Sequence, residues 1–171
     1  MKQKFKLLFA ALMLLMMSGP SWGQTYQKVT SVPTDWSGQY VVVFENTETE
    51  AYIFNGQDAT SDYVTAAIAS NAIASIPDGA AILTIAPMDG GYSIQITTGG
   101  GSNNMKYISG TSGSNKINFG TSPVLNTLEC ESDGVKITSN TSVFRFNNSS
   151  NNYRFRYFKS STYTSQKAVQ L

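Results

Sequence analysis

Chemistry in this chain has to be sought among carboxylates, guanidinium groups and a single thiol, because none of its 171 residues is histidine. Without an imidazole there is no Ser-His-Asp triad, no Cys-His dyad and none of the usual zinc sites. What remains for hydrolysis is a pair of carboxyl groups, an acid and a base or nucleophile, about 5–10 Å apart as glycosidases require. Glu48/Glu50, Asp58/Asp62 and Glu129/Glu131 are candidates by residue type. Glu48 and Glu50 fall in a polar turn and read as solvated. Glu129 and Glu131, two apart, share one face of a strand and are ready partners for basic side chains. Asp58 and Asp62 have oxygens to offer Ca²⁺, but no EF-hand spacing or RTX-type repeat surrounds them. The sequence thus predicts no catalytic residues, no metal site and no cofactor. A carboxylate-dependent glycoside hydrolase stands behind two non-enzymatic functions.

The richest binding chemistry lies in 143–158, where aromatic and basic side chains alternate. Two strands around a turn at 147–152 put Phe144, Phe146, Tyr153, Phe155 and Tyr157 on one face and Arg145, Arg154 and Arg156 on the other. Aromatic pairs across strands are a strong source of sheet stability, so that face is expected in the core. Like charges facing one another need neutralising. Either Glu129 and Glu131 do this from the preceding strand, or an external sulfate, phosphate or uronate is gripped by the guanidinium forks. The charges are unevenly spread. All eleven acidic residues precede Lys136, whereas Lys136, Arg145, Arg154, Arg156, Lys159 and Lys167 follow with none. Twelve basic residues against eleven acidic give no overall pull toward nucleic acid or an anionic membrane. Tyr107 and Tyr163, flanked by Gly, Ser and Thr, are the candidates for stacking on pyranose rings. Trp36, beside Ser37-Gly38, reads as a core or turn residue. Cys130 alternates with Leu128 as a small buried apolar side chain and, being the sole cysteine, forms no intramolecular disulfide.

The elements that must position these groups are short and nearly all extended. Period-2 alternation marks strands at 39–44, 51–54, 81–86, 92–97, 105–109, 116–119, 135–138, 143–146 and 153–158, with turns at Pro77-Asp78-Gly79, Asp89-Gly90-Gly91 and Asp133-Gly134. The stretch 63–76 reads as two extended pieces around Ser70-Asn71, with a short helix as the alternative. Leu83-Thr84-Ile85, Asp89-Gly90-Gly91 and Tyr92-Ser93-Ile94 are echoed by Leu128-Glu129-Cys130, Asp133-Gly134 and Val135-Lys136-Ile137. Each copy leads through a Gly/Asn/Ser loop into an aromatic strand. The predicted fold is all-β: a single antiparallel β-barrel, trefoil-like or sandwich domain over 24–171.

Residues 1–23 have the pattern of a cleaved signal peptide. Lys2, Lys4 and Lys6 precede an apolar run at 7–17, and Ser21 and Gly23 lead to a cut before Gln24. The apolar run is too short to span a bilayer, and no cysteine near the cut offers a lipid anchor. The chain is expected to be secreted to the periplasm, cell surface or extracellular space, without membrane insertion once the signal is removed.

The order of strand, DG turn, strand, Gly-rich loop, Lys106-Tyr107-Ile108, Phe144-Arg145-Phe146, Tyr153-Arg154-Phe155-Arg156-Tyr157 and Ala168-Val169-Gln170-Leu171 resembles a β-rich accessory module of secreted Bacteroidota proteins. Tyr40-Val41-Val42-Val43 after a glycine matches the opening of that module, and the likeness covers nearly all of 26–171. It implies a non-catalytic module of the kind attached to exported hydrolases, nucleases or surface proteins. The departure is at Leu171, where the family continues with Tyr-Lys, so a C-terminally truncated chain is expected. The leading function is a secreted binding module contacting extracellular polysaccharide through Arg145, Arg154, Arg156, Tyr107 and Tyr163. The alternative is a structural or adhesive domain that contacts another surface protein.

Overall fold

The computed structural model describes residues 25–149 and 152–171; the expected signal peptide and the centre of the 147–152 turn lie outside the described residues. Fourteen strands, numbered in chain order, form four antiparallel sheets among the described residues. The largest runs β10 (Ser114–Gly120), β9 (Tyr107–Thr111), β8 (Gly91–Thr98), β7 (Ile82–Met88), β2 (Gly38–Tyr40). A second has the order β11 (Thr127–Glu131), β12 (Gly134–Ser139), β13 (Ser142–Asn147), β14 (Arg154–Lys159). β3 (Val43–Glu45), β4 (Glu50–Phe54) and β5 (Tyr63–Ala67) make a third, and β1 (Tyr26–Gln27) pairs with β6 (Ala72–Ile73). The all-β class is as the alternation predicts. None of these sheets closes into a barrel; of the three all-β forms expected, the arrangement is that of a sandwich.

Alternation decides which side chains meet. The five-stranded sheet turns Leu83, Ile85, Ile94, Ile96, Ile108 and Ile117 inward, and the four-stranded sheet answers with Val135, Ile137, Phe144, Phe146, Phe155 and Tyr157. Each large ring sealed in this way contributes about 1.5–3 kcal/mol. The β13–β14 register pairs Phe144 with Tyr157 and Phe146 with Phe155, and it sets Arg145 opposite Arg156 on the other face. That is the parity read from the sequence. Gly110 lets β9 pass close beside the second sheet, since a Cβ there would stand 2.5 Å from the Ser139 carbonyl oxygen.

A smaller core of Val41, Val43, Ala51, Ile53, Ile73 and Ala80 lies on the opposite face of the three-stranded sheet. This explains one correction. Segment 39–44, expected as one strand, is two: Tyr40 pairs with Leu83 in the large sheet and Val43 with Ile53 in the small one. Val41 joins the small core and Val42 the large one, so the chain changes sheet between them. The stretch 63–76 is two extended pieces, as expected, and Ser70 and Asn71 take positive φ between them (52° and 60°). The two echoing segments become β7–β8–β9 and β11–β12–β13, antiparallel meanders in facing sheets. The final residues bind the layers: Lys167 bridges to Phe146, Val169 to Val135 and Gln170 to Val43.

Candidate functional site

The three arginines of the outer β13–β14 face come together as expected, and the chain supplies their partners. Arg145 is 7% exposed and its Nη2 lies 2.6 Å from a carboxylate oxygen of Glu131. Glu129 turns instead to Lys136, at 3.2 Å. Arg156 is paired through Nε with Asp58, and Arg154 donates to the Thr60 hydroxyl at 2.9 Å. An external anion would have to displace carboxylates already in place from two of the three.

The loop joining β4 to β5 is the reason for this arrangement. β10 and β14 are edge strands of different sheets that run side by side, and side chains take the place of a backbone ladder between them. Asp58 accepts the Ile117 amide proton at 3.0 Å, and Asn115 accepts that of Lys159 at 2.9 Å. Asp62, fully buried, accepts the Phe155 amide proton at 2.8 Å, while its other oxygen has no partner. Burial pushes the Asp62 carboxyl up to about 8; nearby Asp58 adds to this, and the Phe155 N–H, Arg156 and Arg154 oppose it. Asp58 and Asp62, the pair with oxygens to offer Ca²⁺, are thus engaged in tying the β4–β5 loop to β10 and β14. Among the described residues no group of three or more metal-ligating side chains converges.

Tyr107 stands elsewhere, on the outer face of the five-stranded sheet. The registers align a continuous row across its strands: Gln39 opposite Thr84, Thr84 opposite Gln95, Gln95 opposite Tyr107, and Tyr107 opposite Gly120. Residues directly opposite in a sheet share a face, and their neighbours Leu83, Ile94, Ile96 and Ile108 are buried on the other side. Four strand spacings make the row about 19 Å long. It presents amides, a hydroxyl and one aromatic ring, and it carries no charge. The Gln95 amide nitrogen donates to the Met105 carbonyl at 2.9 Å, which fixes the amide beside Tyr107. Met105 itself is held at φ 63° and is 59% exposed, an apolar surface next to the polar row. Gly120 leaves open space where a side chain would otherwise stand against Tyr107.

The same sheet presents Asn118 opposite Ser109 and leads to a shallow hollow of ≈ 550 Å³ between two hairpin tips. Thr111, Ser112, Lys116, Asn118, Asn140 and Thr141 line it, with Lys116 the one charge among them. The tips are tied together: Asn140 donates to the Gly110 carbonyl at 2.9 Å and Ser142 to that of Thr111 at 3.2 Å. Tyr163, the other ring expected to stack on sugar, is half-buried in a short 3₁₀ turn packed on β13 and β14, outside the row. Trp36 is in the core, and Cys130 is half-buried against it. Gln39, Thr84, Gln95 and Met105 were not legible as site residues. Each strand's alternation marks its outward positions and the Asp89-Gly90-Gly91 turn joins β7 to β8, but nothing local brings Gln39 beside Thr84 or sets Tyr107 opposite Gln95.

No protein-family model matches this chain, nor does any curated protein or any solved structure.

Proposed function

We infer that the protein is a secreted, non-catalytic module that binds extracellular polysaccharide, and that the glycan lies across the outer face of the five-stranded sheet at Tyr107. The observation that carries this reading is the uncharged row from Gln39 through Thr84, Gln95 and Tyr107 to Gly120. Amides and hydroxyls satisfy the paired donor and acceptor character of sugar hydroxyls, while a ring and an exposed Met105 suit the apolar face of a pyranose. The strand spacing of about 4.8 Å is close to the length of one extended sugar unit, so successive sugars would meet successive strands. A neutral glycan fits this face better than the sulfated or uronate-rich ligand expected of the arginines, whose charges Glu131 and Asp58 meet internally.

Affinity electrophoresis of the purified protein through gels containing neutral or acidic polysaccharides tests the reading. Retardation by a neutral glycan is expected, lost in Tyr107→Ala and Gln95→Ala and little changed by added salt. Retardation that persists in the double variant, or no retardation by any glycan, would place the function elsewhere. The second reading, a structural or adhesive domain, is favoured by one observation: the uncharged edge of β5, which no strand covers among the described residues.

A further inference from the structure

β5 is an outer strand, and among the described residues no strand lies on its far side. Its parity is set at both ends, where Asn55 donates to the Asp62 carbonyl and Ile68 to that of Thr49. In an antiparallel ladder this assigns the backbone groups of Val64 and Ala66 to β4 and turns those of Tyr63, Thr65 and Ala67 outward. Among the described residues none of these three makes a backbone bond beyond the ladder.

Natural sheet edges are usually guarded by charge, proline or a bulge. The β11 edge carries Glu129 and Glu131, and the β10 and β14 edges are closed on each other by Asp58 and Asn115. β5 reads Tyr-Val-Thr-Ala-Ala, with no charge or proline, and pairs with β4 in unbroken register. Val64 and Ala66 rest on the small core and Tyr63 stacks on Tyr52 with centroids 4.2 Å apart, while Thr65 and Ala67 are exposed. The strand is pre-formed, and its free edge needs no ordering before it can pair.

We propose that β5 pairs with β5 of a second copy, antiparallel about a twofold axis at Thr65, so that two three-stranded sheets become one. The sequence of the strand suits that partner. Antiparallel self-pairing places Tyr63 opposite the partner's Ala67 and Val64 opposite the partner's Ala66, large against small. No charge meets itself, as Glu129 and Glu131 would in a β11 pairing. Every outward N–H and C=O of the three residues finds a counterpart. A contact built around one short strand is small, so the dimer is expected to be weak and concentration-dependent. This inference stands independently of glycan binding.

Sedimentation velocity of the purified protein over a concentration series tests it. The wild-type mass is expected to rise toward that of a dimer with concentration. Thr65→Pro removes an amide that β4 does not use, and Thr65→Lys sets like charges across the axis. Both should remain monomeric with unchanged circular dichroism. An equimolar mixture of Thr65→Lys and Thr65→Glu should recover the dimer, which a merely damaged strand would not do. If Thr65→Pro fails to fold, the charge pair carries the test. A wild-type protein that stays monomeric at millimolar concentration overturns the proposal. So does a dimer that persists in Thr65→Lys, or a monomer whose Thr65 amide is protected from hydrogen exchange by the chain itself.

Discussion

Asp58 accepts a hydrogen bond from Arg156, 98 residues further along the chain, through one carboxylate oxygen and the Ile117 amide proton through the other. One side chain thereby joins the open edges of two sheets and neutralises a guanidinium whose side chain is 21% exposed. Asp58→Ala would leave that cation and a buried amide without partners. A loss of about 2–4 kcal/mol in unfolding free energy is expected, measured by urea titration. A change below about 0.5 kcal/mol would show that solvent replaces the carboxylate freely.

The stability of the fold should decline as pH rises. Burial raises the Asp62 carboxyl from its ordinary 3.8 to about 8 in the folded protein. The fold therefore holds the proton more tightly than the unfolded chain does. This stabilisation is fully present below about pH 4 and is lost as pH climbs through about 8. Asp62→Asn keeps an acceptor for the Phe155 amide and should flatten the decline when urea midpoints are compared between pH 5 and 8. An unchanged slope in the variant would assign the dependence to other groups.

Two carboxylates on one strand should differ sharply in value. Glu131 meets the nearly buried Arg145, whereas the side chain of Glu129 is 63% exposed beside Lys136. Glu131→Gln is expected to cost about 2 kcal/mol by chemical denaturation, below the full cost of a buried pair because Glu131 is partly solvated. Glu129→Gln should cost less than about 1 kcal/mol.

Gly120→Val separates folding from binding. An added Cβ meets nothing closer than the Ser122 carbonyl oxygen at 3.9 Å, and valine favours strands. Its branched side chain would stand against Tyr107, its direct partner in the register. An unchanged melting temperature with weakened glycan retardation is expected. Full retardation would remove Tyr107 from the binding face.

The hairpin tip at Asn140-Thr141 is strained, with Thr141 at φ 65°, a region β-branched residues avoid. Thr141→Gly should relieve this and raise stability by about 0.5–1 kcal/mol, net of glycine's larger entropy loss. A thermal shift assay reads the sign directly.

Within a hairpin, sequence was sufficient. The alternation of 143–158 placed Phe144, Phe146, Phe155 and Tyr157 on the face of the main core and the three arginines on the opposite face, since a strand's faces follow from its period; that Arg145 is itself buried there, against Glu131, is a tertiary outcome. The all-β class and the lack of imidazole chemistry are likewise properties of composition and period. Partner choice was different. Glu131 was legible, with Glu129, as a neutraliser of the arginines because it lies in the same β11–β12–β13 meander as Arg145, but Asp58 reaches Arg156 from the loop joining β4 to β5. The break of 39–44 at Val41-Val42 depends on two cores competing for adjacent valines, and no local pattern records that.

The residues by themselves determined the class of fold, the faces of each strand and the kinds of chemistry left to the protein. These depend on side-chain type and on neighbours within one hairpin. Tertiary structure alone decided which edges meet, which carboxylate holds which cation, and that Gln39, Thr84, Gln95 and Tyr107 form one row. Contacts such as Gln39 with Thr84 and Asp58 with Arg156 join segments tens of residues apart, and their geometry is set by packing the two cores, which no single strand's alternation encodes.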